Sequence, residues 1–404
     1  GFLKSSIEIR SNALQTNINV KFGDIFSQQG FIAISVNDFF DSLVDDKHIS
    51  SNSLHGKMLK KYWAANTTDW DIQIENQLKG VLEIEELKRK DNTLQFINSE
   101  GEKRDIPIKS ISEIYCFGEN TINTKLINFL SQNQVILHFF NYYDFYSSSL
   151  IPRKSKVSGR LLVHQVEHYS YEDKRLKLAK QFVRSAGQNI YRNMRYYNGR
   201  GKNLAVEMSE VSDLIGKIEQ CTSVAQLMGI EGNIHKTYYG AWSIIIDQEI
   251  NFEKRVKRPL DNMINTLISY VNTLVYTTVL GEIYKTQLDP TISYLHEPGT
   301  SRFSLSLDIS EIFKPLIADR LIFSILNRNQ IQEKHFTKGL EYLHLDEKGS
   351  KLILAEYDKR LRQTIQHKEL GRAVSYRYLI RLECYKLMKH LLGEKEYDSF
   401  VMWW

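Results

Sequence analysis

The chain has 404 residues, enough for two or three domains with cores of their own. With 42% apolar and 25% charged residues it reads as globular, which excludes a disordered or fibrous chain, and no run of 18 apolar residues marks a membrane span. The formal charge of +5, from 53 Lys+Arg against 48 Asp+Glu, is too small to name a partner by itself.

Residues 1 to about 80 read as a separate, mixed segment. KFGDIFSQQGFIAISVNDFFDSLV breaks short apolar runs with Gly and polar residues, and DDKHISSNSLHGK reads as a loop. KMLKKYWAANTTDWDIQIENQLKG is helical in its first and last thirds, and Asp24, Asp38, Asp45 and Asp46 are scattered, solvated acids. The opening GFLKSSIEIRSNALQ has no basic segment followed by an apolar core, so no signal peptide is expected. From 81 to 154 the pattern turns to short strands, LQFIN, RDIPI, EIYCFG and VILHFFN, with NTKLINFLSQN as a short helix between two of them. From 155 to 404 the period is helical, in KRLKLAKQFVRSAGQNIYRNM, in the largely apolar PLDNMINTLISYVNTLVYTTVLGEIYK, in SEIFKPLIADRLIFSILN and in SYRYLIRLECYKLMKHLLG. The expected class is therefore α+β, with a mostly-β domain followed by an all-α domain.

Charge and cysteine placement narrow the function. From Arg153 to Arg200 there are 12 Lys/Arg against only Glu167, Glu172 and Asp173, a balance that suits a polyanion such as nucleic acid; a solvated helical face is the plainer alternative. Cys116, Cys221 and Cys384 are odd in number and widely spaced, so neither a disulfide framework nor a CxxC zinc knuckle is expected and the compartment is reducing, the cytoplasm.

Three polar spots interrupt apolar helical sequence. Glu231 lies between glycines in LMGIEGNIHKTYY, His296 precedes a Pro-Gly break in LDPTISYLHEPGTSR, and Asp308 and Glu311 share one face if SLSLDISEIFKP is helical. Carboxylates with one imidazole suit Mg²⁺ or Mn²⁺, and no HExxH, Cys-rich or His-rich zinc pattern competes with them. Each residue also has a bland reading, as a satisfied structural carboxylate, a packing histidine or a helix-dipole partner.

In this order, the blocks LMGIEGNIHKTYY, KRPLDNMINTLISYVNTL and LDPTISYLHEPGTSRFSLSLDISEIFKPLIADR resemble the CRISPR-associated integrase family, the catalytic subunit of spacer acquisition. The resemblance extends from IPIKSISEIYCFGENTINTKLINFLSQNQVILHFF, through SGRLLVHQVEHY, to YLIRLECYKLMKHLLGEKEY, and covers residues 82–399. It implies a β domain at 81–154 for dimerisation and an α-helical catalytic domain at 155–404. It also implies metal ligation of Mg²⁺ or Mn²⁺ by Glu231, His296 and Glu311, with Asp308 completing the catalytic group by supporting the site or holding water. Arg258, Asp261 and Asn265 match the central-helix signature that orders the site from behind, and Arg258 also falls in the basic cluster EKRVKR. Lys236, Tyr238 and Arg302 are candidates for phosphate contacts, with a place in the core as the equal alternative for Tyr238. Four places depart from the family pattern: Glu311 stands for aspartate, Ser301 for glycine and Ala186 for lysine, and NYYDFYSSS lacks the glycine usual after the second core strand.

The reaction the resemblance implies is the joining of a short DNA duplex to a CRISPR array, by attack of its 3′-OH on a phosphodiester. The implied partners are double-stranded DNA, a second copy of the chain and a small ferredoxin-like subunit. For residues 1–80 it implies a remnant of a fusion to a reverse transcriptase or another CRISPR protein, or a docking module. Two rival readings share these residues: a structure-specific DNA endonuclease that uses water as nucleophile, and a catalytically silent DNA-binding scaffold.

Overall fold

The computed structural model describes residues 6–11, 16–21, 54–63, 72, 93–97, 103–118, 122–141, 145–153, 157–250, 252, 255–256, 262–300, 302–338 and 343–403. It falls into two compact units, residues 1–110 and 111–404. The first contains an antiparallel hairpin β1 (Ser6–Ser11)–β2 (Thr16–Lys21), helix α1 (Leu54–Trp63) and a second antiparallel hairpin β3 (Thr93–Ile97)–β4 (Lys103–Pro107). The helix expected in the first third of KMLKKYWAANTTDWDIQIENQLKG is α1; the last third lies outside the described residues.

The second unit begins with a three-stranded sheet of order β5 (Glu113–Cys116), β6 (Ile136–Phe140), β7 (Tyr146–Leu150). β5 and β6 are parallel, so a crossover must join them, and α2 (Thr124–Gln132) supplies it. Asn123 starts α2 by accepting from the Leu126 N–H at 2.9 Å. β6 is the middle strand, and its ILHFF run is buried nearly throughout. The division between the units falls inside the stretch 81–154 that the sequence reads as one β domain.

Helices follow: α3 (Gly159–Ser170), α4 (Glu172–Asn198), α5 (Ala205–Lys217), α6 (Val224–Gly240), the short α7 (Trp242–Ile245), α8 (Met263–Tyr284) and α9 (Ser304–Lys314). After α9 come α10 (Arg320–Asn327), α11 (Glu347–Arg362) and α12 (Tyr376–Leu391). Ser158, Ser223, Asn262, Asp346 and Ser375 cap α3, α6, α8, α11 and α12, each side-chain oxygen taking an otherwise orphaned N–H. The region is not purely helical: two small hairpins interrupt it, β8 (Phe336–Lys338)–β9 (Leu343–Leu345) and β10 (Thr364–His367)–β11 (Arg372–Ser375). The β-branched pairs Ile365 and Val374 face each other there, which favours strand over helix.

α8 is the only described helix long and apolar enough to cross a membrane, but 78% of its apolar window is buried inside the protein. SEIFKPLIADRLIFSILN is not one helix either. Pro315 has no N–H to give to the preceding turn, and Pro315–Asp319 widens into a π-helical turn between α9 and α10. Helix α4 positions this turn. Its buried Asn189 donates to the Ile312 carbonyl at 3.0 Å, and Asn193 to the Pro315 carbonyl at 2.6 Å.

A buried charge network fastens the sheet to the helices. Glu113 on β5 accepts from Lys285 Nζ at 2.6 Å, Arg377 Nη1 at 2.7 Å and the Tyr115 hydroxyl at 3.1 Å. Glu282 on α8 accepts from Lys285 at 2.8 Å and Arg381 Nε at 2.6 Å. Gly281 makes room for this: a Cβ there would lie 2.5 Å from Glu113 Oε1.

Candidate metal centre

Glu231 and His235 are one turn apart on α6, so they share a face. Glu311 reaches them from the middle of α9, which begins at Ser304 and so leaves neither Asp308 nor Glu311 as an N-terminal cap. One donor atom from each of Glu231, His235 and Glu311 lies within 4.8 Å of the others, the only such trio of potential metal donors among the described residues. His235 Nε2 is 3.1 Å from Glu231 Oε1 and 3.5 Å from Glu311 Oε2, and Lys314 Nζ is 2.5 Å from Glu311 Oε1.

The electrostatics are those of a cation site. Burial alone would push the His235 imidazole down, but hydrogen bonds to Glu231 and Glu311 outweigh it and raise the pKa to about 10. Burial would raise Glu311, yet Lys314 and His235 hold it well below the usual carboxylate range. Two carboxylates and an imidazole in one partly buried cleft therefore already hold positive charge between them. That donor set, mostly oxygen with one nitrogen, fits a divalent metal ion.

His296 stands beside this trio rather than within it. Its Nδ1 lies 2.9 Å from Asp308 Oδ1, and Glu311 is among the charges that act on the ring. Asp308 is fully buried and also accepts the backbone N–H groups of Tyr294, Leu295 and His296 at 2.7, 3.0 and 2.9 Å. A carboxylate so occupied has no lone pair to spare for an ion; it fixes the loop and sets the proton on Nδ1, leaving Nε2 with its lone pair.

The remaining expected residues separate. Asn265 is buried and accepts from Val256 N and Arg255 Nη1, both at 3.0 Å, so it orders the chain entering α8. Arg258 and Asp261 lie outside the described residues, as does Ser301. Arg302 turns back on its own loop, donating to the Glu297 carbonyl. Lys236 lines a cleft with Glu207, Glu210 and Asp213, about 100° round α6 from His235. Tyr238 has no exposed surface; its hydroxyl accepts from Asn193 at 3.3 Å and bonds Asp319, so it belongs to the core and not to a phosphate contact. Ala186 is also buried, where a lysine would have to bury its charge.

Sequence reasoning missed His235, Lys314 and Asp319. The i,i+4 spacing of Glu231 and His235 was a usable signal. Asp319 was hidden because the π turn, not helical spacing, carries it inward; burial, opposed by His235, raises its carboxyl to about 7.

Residues 81–359 match the family model described as CRISPR associated protein Cas1. The chain belongs to the Cas1 family. A CRISPR-associated endonuclease Cas1 from Fusobacterium nucleatum is 62% identical over 318 residues, 79% of this chain and 94% of the relative. The structure of a CAS1 protein from Thermotoga maritima is 39% identical with a TM-score of 0.67, covering 76% of this chain and 94% of that one. A Cas6-RT-Cas1–Cas2 complex shares the fold, at 16% identity and a TM-score of 0.66 over 77% of this chain and 34% of the other. Glu231, His235 and Glu311 all lie inside the stretch that matches the Cas1 model.

Proposed function

We propose that this Cas1-family chain is the catalytic subunit of a metal-dependent integrase that joins short DNA duplexes to a CRISPR array, working as a homodimer with a small ferredoxin-like partner such as Cas2. The observation that carries the reading is the convergence of Glu231 and Glu311 from two different helices on one cation-holding cleft. Glu231 and Glu311 would hold Mg²⁺ or Mn²⁺, with His296 as the imidazole ligand. When bound, the ion supplies Lewis acidity to a phosphoryl oxygen and stabilises the 3′-oxygen that attacks or leaves.

The chain's own residues do the rest. Asp308 keeps His296 in one tautomer and one place. Asn189 and Asn193 hold α9 and the π turn against α4, which fixes Glu311 relative to Glu231. Much of the basic stretch is spent on internal pairs: Arg175 meets Glu297 at 2.6 Å, Lys177 meets Glu396 at 2.6 Å, and Arg184 pairs with Glu219. Several arginines gather near the end of α4. Arg192 and Arg195 lie close enough for their charges to repel, and Tyr196 sits under both Arg200, at 4.5 Å, and Arg320, at 4.3 Å. Such a cluster suits a phosphate backbone.

A strand-transfer assay tests the reading. A labelled short duplex is mixed with supercoiled repeat-bearing DNA, the protein and the small partner, in Mg²⁺ or Mn²⁺. Joined product should form with wild type and vanish with Glu231→Gln or His296→Ala. Metal-dependent cutting without joining would replace the integrase with the endonuclease. Loss with His235→Ala but not His296→Ala would make His235 the imidazole ligand instead.

A further inference from the structure

A stripe of polar groups runs along α4. Gln181, Ser185, Asn189 and Asn193 follow at intervals of four, so they stand one above another on the helix. Ser185, Asn189 and Asn193 have no exposed surface, and a polar group so placed is stable only with a partner. The partners fall into two sets. Asn193 holds the π turn through the Pro315 carbonyl. The first two positions hold Tyr397–Trp403, a segment without regular structure that follows α12. The Ser399 hydroxyl donates to the Gln181 carbonyl at 2.7 Å, and the Ser185 hydroxyl donates to the Phe400 carbonyl.

Asn189 holds both sets. Its Nδ2 donates to the Ile312 carbonyl of α9 at 3.0 Å and to the Phe400 carbonyl at 3.2 Å, and its Oδ1 accepts the Met402 N–H at 2.9 Å. Both carbonyls can only accept, which settles which way the amide is turned. The segment also meets α9 directly. The Phe400 ring stacks on that of Phe313, with centroids 5.9 Å apart and planes 10° from parallel. The segment is moored to α12 as well, where buried Glu383 accepts from the Tyr397 hydroxyl at 2.6 Å and from the Phe400 N–H at 3.1 Å. Ile312 and Phe313 directly follow Glu311. Apolar packing alone would let α9 slip along α4, whereas these bonds are directional and fix its register.

We infer that the segment Asp398–Trp403 is a positioning strap for the metal centre: it grips Ile312 through Asn189 and Phe313 through Phe400, and so sets where α9 carries Glu311 relative to Glu231. This rests on the reading of that centre as a metal site. Asn189 and Phe400 are positioning residues, since neither supplies a donor to the trio. Metal affinity then depends on a segment remote in sequence from every ligand.

Mn²⁺ titration calorimetry and metal-free amide hydrogen exchange of the full chain test it. The proteins are wild type, Phe400→Ala, the milder Phe400→Leu, the pair Glu231→Gln/Glu311→Gln, and Glu113→Gln, which is destabilised in a network that no strap residue joins. Phe400→Ala should weaken Mn²⁺ binding by about tenfold or more, as loss of an outer support does, and Phe400→Leu by less. Glu113→Gln should bind as wild type does. The amides of α9 should lose protection ahead of those of α6 in both Phe400 variants and not in Glu113→Gln. Phe400 variants that bind Mn²⁺ and protect α9 as wild type does would overturn the inference, and so would an equal loss of affinity in Glu113→Gln. If wild type binds no Mn²⁺, or the carboxylate pair binds it equally well, the metal reading of the centre fails, and exchange along α9 alone decides for or against the strap.

Discussion

Replacing Glu113 by Gln leaves Lys285 and Arg377 facing a neutral amide in a buried place. Burial pushes the Glu113 carboxyl upward, but Arg377 and then Lys285 more than reverse this and bring it from 4.5 to about 2. At about 1.4 kcal/mol for each tenfold change, that interval is worth about 3 kcal/mol, near the lower end of the roughly 3–5 kcal/mol lost when one partner of a buried ion pair is removed. A group whose folded pKa is depressed gives its stability above the unfolded value and loses it as pH falls through the folded one. The gap between wild type and Glu113→Gln should therefore be full at pH 7 and close from about pH 4.5 towards about pH 2, given that shift. Urea unfolding followed by far-UV ellipticity, which the helices of the second unit dominate, measures it. A variant as stable as wild type at pH 7, or a gap that stays constant down to pH 3, would refute the reasoning.

The neighbouring Gly281→Ala should also destabilise, by about 1–3 kcal/mol, because its Cβ would press on the Glu113 carboxylate, a side-chain tip that Lys285 and Arg377 hold in place; thermal melting reads it. Asp308→Asn should lower stability by about 2 kcal/mol, since an amide nitrogen cannot accept the backbone N–H groups now bound there. In ¹⁵N spectra the same variant should shift the His296 tautomer. Tyr238→Phe removes only a hydroxyl shared by Asn193 and Asp319. It should cost about 1 kcal/mol in urea unfolding and leave DNA affinity unchanged; a large loss of DNA binding would return Tyr238 to the phosphate contacts. Arg195→Glu with Arg200→Glu should weaken DNA binding and flatten its dependence on log salt by roughly one to two units, measured by fluorescence anisotropy.

Much of the helical scaffold was legible because a buried face leaves a 3.6-residue period, as in Leu178, Phe182, Ile190 and Met194 along α4. The strands of the sheet were legible from short apolar runs between turn residues. Glu231 and Glu311 were found through the order of blocks around them, because nothing local shows that α6 and α9 meet. The Glu113–Arg377 contact joins residues 264 positions apart, and no periodicity reports such a pair. The π turn was missed because its cause, the absent N–H of Pro315, permits several outcomes in sequence and only packing selects one.

The bonds around Asp308 have a mechanical consequence. Four of them bind the 294–296 loop to α9, so His296 and Glu311 travel as one piece, while Glu231 and His235 travel with α6. The centre is thus cut into two halves with a single seam. An ion seated there would act as a rivet across that seam, and its affinity would gauge how far apart α6 and α9 stand.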